Sequence, residues 1–113
     1  KALADLANSA NWTMTISYHS MGNLVYWDFA GNKVAEQSKE LAELVTGITG
    51  YRTNRSSGKG GFKDYVQIKD SPIPSLTIEV GSVACPMPAS EFGNVWNSNQ
   101  SILAALAAYA ADH

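Results

Sequence analysis

Ser17-Tyr18-His19-Ser20-Met21-Gly22-Asn23 and Thr77-Ile78-Glu79-Val80-Gly81 are the two segments whose reading decides the fold. Each reads as a β-strand that ends on a chemically active side chain. From Thr13 to His19, alternation sets Thr13, Thr15, Ser17 and His19 on one face and Met14, Ile16 and Tyr18 on the other. In the second segment Leu76, Ile78 and Val80 share a face opposite Thr77 and Glu79. An imidazole and a carboxylate therefore stand at the C-terminal ends of two strands, each on the more polar face. Ligands bind at that edge in open α/β sheets. Gly22 and Gly81 follow, and glycine lets the chain turn away there.

The flanking residues extend this pattern. Strands are expected at about 13–19, 24–28 and 75–80, the middle one from its β-branched and aromatic run Leu24-Val25-Tyr26-Trp27. Asn32 can cap a helix over about 33–49, where Val34, Leu41, Val45 and Ile48 recur at helical spacing and Gly50 supplies a stop. Tyr51 to Gly61 reads as a polar loop, and about 62–69 as a short helix ended before Pro72 and Pro74. A long last helix over about 90–111 takes Ser90 as its N-cap and Glu91 in its first turn. Its stripe is Phe92, Val95, Trp96, Asn99, Ile102, Leu103, Leu106 and Ala110. The fold class is α/β: part of a mixed open sheet with helices on its faces. A strand, a crossover helix and a second strand imply parallel pairing with a right-handed connection. Such pairing brings His19 and Glu79 to one cleft.

Composition excludes several functions. The 113 residues suffice for a single unit, 1–113. A net charge of -2 offers no basic stripe for nucleic acid. The positive cluster of Arg52, Arg55, Lys59 and Lys63 could meet one anionic group, hardly a polymer. A single cysteine, Cys85, forms no internal disulfide and leaves the compartment open. No stretch approaches the ~20 apolar residues of a membrane span. The chain begins with Lys1 rather than Met, so a fragment, a processed product or a trimmed chain is expected.

An imidazole at a cleft edge can be a zinc ligand, a general base or a hydrogen-bonded structural residue. A glutamate near the end of a buried strand is rarer, because an unpaired buried carboxylate is costly. Together they suit metal-assisted hydrolysis, with the carboxylate taking a proton from water.

Ile16-Ser17-Tyr18-His19-Ser20-Met21-Gly22-Asn23-Leu24-Val25-Tyr26-Trp27 resembles the third zinc-ligand segment of the zinc carboxypeptidases of the carboxypeptidase A type. Gly60-Gly61-Phe62-Lys63-Asp64-Tyr65 followed by Ile73-Pro74-Ser75-Leu76-Thr77-Ile78-Glu79-Val80-Gly81 resembles the segment that carries that family's catalytic glutamate. The ending Pro86-Met87-Pro88, Glu91-Phe92, Val95-Trp96, Asn99 is most similar to bacterial members, including peptidoglycan-trimming peptidases. The resemblance runs from about Ala2 to Tyr109. It implies the C-terminal portion of a carboxypeptidase-like domain, with His19 as a zinc ligand and Glu79 as the base that activates water. It also implies Ser20 and Lys63 as substrate-binding positions, Lys63 favouring a carboxylate-bearing group. The substrate implied is a peptide, with peptidoglycan stem peptides as the family-level preference, and the location an exported, cell-envelope one.

The family's other zinc ligands belong to an upstream His-x-x-Glu, and the remaining histidine here is His113. The upstream arginines that clamp substrate have no counterpart either. Catalytic zinc takes three protein ligands, so this chain alone is expected to be empty of zinc and inactive. Its open sheet edge would pair with the missing N-terminal part of the domain or with another copy. The alternative reading is a non-catalytic binding or assembly module on the same scaffold. A nucleophile hydrolase is disfavoured, since no Gly-x-Ser-x-Gly elbow occurs.

Overall fold

The computed structural model describes residues 5–6, 13–28, 35–55, 74–82 and 88–112. Among the described residues, four strands form one sheet: β1 (Thr15–Ser20), β2 (Leu24–Asp28), β3 (Arg52–Arg55) and β4 (Ser75–Val80). Helix α1 (Ala35–Thr49) connects β2 to β3. A 3₁₀ turn (Ala89–Glu91) leads into α2 (Phe92–Asn99) and α3 (Ile102–Asp112). The spatial order is β1-β4-β2-β3. β1 runs parallel to β4, β4 antiparallel to β2, and β2 parallel to β3. The sheet is therefore mixed and open, an α/β architecture.

One face of the sheet makes the core. Val25, Leu76 and Ile78 are fully buried with Leu41, Ala42 and Val45 of α1, and with Ile102 and Leu106 of α3. Met14, Ile16, Trp27 and Tyr51 flank that cluster. Burying each such aliphatic side chain stabilises by about 1.5–3 kcal/mol. A buried polar pair fixes where β1 and β4 start. The Ser75 amide donates to Ser38 Oγ of α1 at 2.9 Å, and Ser75 Oγ lies 2.7 Å from Thr15 Oγ1. α1 ends at Gly50, whose φ of 76° suits glycine and whose N–H donates to the Thr46 carbonyl at 2.8 Å. Among the described residues, no helix is long and apolar enough to cross a membrane.

Four features differ from the sequence expectations. Residues 52–55, read as loop, form edge strand β3. Its residues Arg52-Thr53-Asn54-Arg55 carry no apolar alternation, because it pairs through the backbone along the rim of the sheet. The expected helix over 90–111 is broken at Gln100 and Ser101. Asn99 Nδ2 donates to the Val95 carbonyl and to the Tyr51 hydroxyl, each at 2.9 Å. Such local side-chain bonding competes with the helix ladder. Ser90 lies inside the 3₁₀ turn and caps nothing, and α2 begins one residue after Glu91. The expected stripe is only partly inward, since Ile102 and Leu106 are buried while Phe92, Trp96 and Leu103 are exposed. The expected helix over 62–69 lies outside the described residues.

Candidate functional site

The parallel pairing of β1 with β4 sets Thr15 against Ser75, Ser17 against Thr77 and His19 against Glu79. Register partners on neighbouring strands project from the same face of a sheet, and alternation separates them from Ile16, Leu76, Tyr18 and Ile78. The 2.7 Å contact between Thr15 Oγ1 and Ser75 Oγ is direct evidence of that shared face. His19 and Glu79 are thus side-by-side neighbours about 5 Å apart along the hydrogen-bonding direction. They stand one residue before the ends of their strands. The two residues singled out by sequence are brought together.

The turns that follow them are fastened to each other. The Gly22 amide donates to the Gly81 carbonyl at 2.8 Å. Gly22 and Gly81 have φ of 140° and 90°, values that L side chains rarely adopt, and Asn23 follows at 51°. A Cβ placed on Gly22 would come 3.1 Å from Leu24 Cδ2. Beyond Gly81, the Ser82 amide and hydroxyl both donate to Glu91 Oε1, at 2.6 and 2.7 Å. Glu91, the acidic residue in the first turn of the 3₁₀ segment, also anchors the chain three residues past Glu79.

His19 is exposed and Glu79 half-buried. Among the described residues, Glu79 Oε2 is shielded from solvent and takes part in no hydrogen bond. A buried acceptor in that state is destabilising and calls for a donor. The arrangement sets a carboxylate on the same sheet face as an accessible imidazole, which suits proton abstraction from a water. As a metal centre it supplies one good nitrogen donor. Among the described residues, no three His, Cys, Asp or Glu side chains group closely enough to hold an ion. Ser20 ends β1 at the register position of Val80, and its side chain lies outside the described set. Lys63 also lies outside it, as do Gly60 and Gly61.

Antiparallel pairing with β4 adds Leu24 beside Glu79 and Tyr26 beside Thr77. Parallel pairing with β3 adds Arg52 beside Leu24 and Asn54 beside Tyr26. Sequence reading placed Arg52 in a loop cluster. Only the strand register shows that it shares the His19–Glu79 face. On the opposite face, burial first and the nearby Tyr51 phenol second push the Tyr18 hydroxyl above the ordinary phenol range.

The chain is similar to gamma-D-glutamyl-L-diamino acid endopeptidase 1 of Lysinibacillus sphaericus. The two are 32% identical over 105 residues, which are 92% of this chain and 26% of that relative. The chain thus spans about a quarter of the relative's length. No family model matches the chain. No solved structure matches it.

Proposed function

We propose that this chain forms part of a peptidase acting on peptidoglycan stem peptides, with Glu79 as its general base and His19 as one ligand of a catalytic zinc. The observation that carries the reading is the parallel register of His19 with Glu79 at the sheet edge, where, among the described residues, a Glu79 oxygen has no partner and the imidazole is exposed. The resemblance of a relative named as a gamma-D-glutamyl-L-diamino acid endopeptidase supports the substrate class. A peptidoglycan substrate in turn implies an exported protein of the cell envelope.

His19 fits a zinc site as one of its three protein donors, and the reading assigns the other two to the remainder of the protein. When bound, the metal would polarise the scissile carbonyl and acidify water. The chain's own contribution is proton transfer. Glu79 Oε2 takes the proton of a water whose oxygen attacks the carbonyl carbon. The C–N bond breaks, and Glu79 returns the proton to the leaving amine. The fastened turns at Gly22–Gly81 and Ser82–Glu91 hold both side chains for this step, since rate depends steeply on such positioning.

The test is hydrolysis of a γ-D-glutamyl peptide by the full-length protein, with and without a chelator. Glu79→Gln should lower kcat by about 10²- to 10⁴-fold. A chelator should abolish turnover, and added zinc should restore it. Activity that survives both treatments would defeat the assignment.

A further inference from the structure

We infer that Arg52 forms a carboxylate-binding subsite on the His19–Glu79 face, and that its ligand is the free α-carboxylate of a γ-linked glutamyl residue. This rests on the proposed peptidase reading and adds to it the group that selects the substrate.

Three pairings define one row across the sheet. His19 pairs with Glu79, Glu79 with Leu24, and Leu24 with Arg52. Each step keeps the side chains on a common face, and the irregularity in the β2–β3 pairing falls later, between Tyr26 and Asp28. The Arg52 amide donates to the Asn23 carbonyl at 3.2 Å, which ties its backbone to the turn after the His19 strand. Arg52 is exposed. Among the described residues, neither a hydrogen bond nor an ion pair engages its guanidinium. It is an exposed cation at the end of the candidate catalytic row.

The spacing selects the ligand. Strands about 4.8 Å apart put the Arg52 Cα about 10 Å from that of Glu79 and about 14 Å from that of His19. In a γ-linked glutamyl unit, four C–C bonds of about 1.5 Å separate the scissile carbonyl carbon from the α-carboxylate carbon, a reach of about 5 Å. Adding about 3 Å each for the base–water contact, the water–carbonyl approach and a charge-assisted hydrogen bond gives about 14 Å when fully extended. The long side chains of Glu79 and Arg52 can cover that reach from backbones about 10 Å apart. Leu24, half-buried, stands between the two charged residues. Its apolar side chain suits the two methylene groups that separate the carbonyl from the carboxylate-bearing carbon. Arg52 also presents a planar fork that engages a carboxylate through two parallel bonds. An internal α-linked peptide with apolar side chains has no carboxylate on the acyl side of the scissile bond.

The experiment compares a γ-D-glutamyl dipeptide with its α-carboxamide, which differs only at the proposed contact, using the full-length protein. The wild type should favour the free acid in kcat/KM by tenfold or more, the scale of a charge-assisted hydrogen bond. Arg52→Gln should bring the ratio close to one, and Arg52→Lys should recover part of it. A thermal melt of each variant shows that the fold is retained. Hydrolysis by Arg52→Gln with the wild-type ratio, or a wild type indifferent to amidation, would overturn the subsite and leave the peptidase reading standing. A wild type that hydrolyses neither substrate would overturn both.

Discussion

The two faces of the sheet share the same strands and do opposite work. Toward α1 and α3, alternate residues Leu76 and Ile78 of β4 are sealed into a dry cluster with Val25. Toward the other side, Thr77 and Glu79 of the same strand meet Ser17 and His19 of β1. Among the described residues, the buried cluster lies wholly on the first side, and the second side keeps a carboxylate oxygen without a partner. Folding free energy and the candidate site are thus assigned to even and odd positions of one strand. Leaving a buried acceptor unpartnered costs stability, and it is tolerated here because the opposite face supplies the core.

Adjacent residues of β4 give the sharpest test of this division. Ile78→Ala should destabilise by about 2–5 kcal/mol, from lost burial and the cavity left behind. Glu79→Gln one position away should leave stability within about 1 kcal/mol, because it removes no packing and no hydrogen bond at Oε2. Urea unfolding of both variants measures the contrast. Equal losses at the two sites would mean that the faces are not functionally separate.

A smaller effect probes how the faces are held in register. Ser38 is buried on α1 and accepts the Ser75 amide at the start of β4. Ser38→Ala removes that acceptor and should cost about 1–3 kcal/mol, the penalty for a buried donor left unmade. If the same substitution in the full-length protein also lowers peptide hydrolysis, then pairing of β1 with β4 depends on this bond. If only stability falls, the His19–Glu79 register is set by the strands themselves.

The same division explains what could be read from sequence. β1 and β4 alternate apolar and polar residues over five or six positions, so their faces were legible; the order strand, crossover helix, strand made their parallel pairing, and with it the juxtaposition of His19 with Glu79, legible too. The α1 helix was legible because Leu41 and Val45 fall on one stripe and Gly50 stops it. β3 was not legible, since four polar residues on a sheet rim leave no hydrophobic signature. With β3 unseen, Arg52 could only be read as one member of a loop cluster. The break between α2 and α3 was hidden for a related reason: Asn99 is spent on Val95 and on Tyr51, a residue 48 positions away, and local spacing carries no record of such a partner. The bond of Glu91 to Ser82 was hidden likewise, since its partner lies nine positions away.

The smallest expected effect lies on the helical side and titrates. The Tyr109 hydroxyl of α3 donates to Glu40 Oε2 of α1 at 2.7 Å. That hydrogen bond first, then burial and the carboxylate charge, raise the phenol above its ordinary value of 10.0. A raised value in the folded state means that the protonated phenol is the favoured form there. Its contribution is fully present below about pH 10, where the unfolded phenol is also protonated, and is lost as pH rises through the higher folded value. Tyr109→Phe should therefore lower stability slightly near neutral pH, and the deficit should vanish at strongly alkaline pH. Because the pair is exposed, solvent screening keeps the difference small. The measurement is urea unfolding of wild type and Tyr109→Phe at neutral and alkaline pH. A deficit that persists at alkaline pH would assign the loss to packing of the ring against the core and not to the hydrogen bond with Glu40.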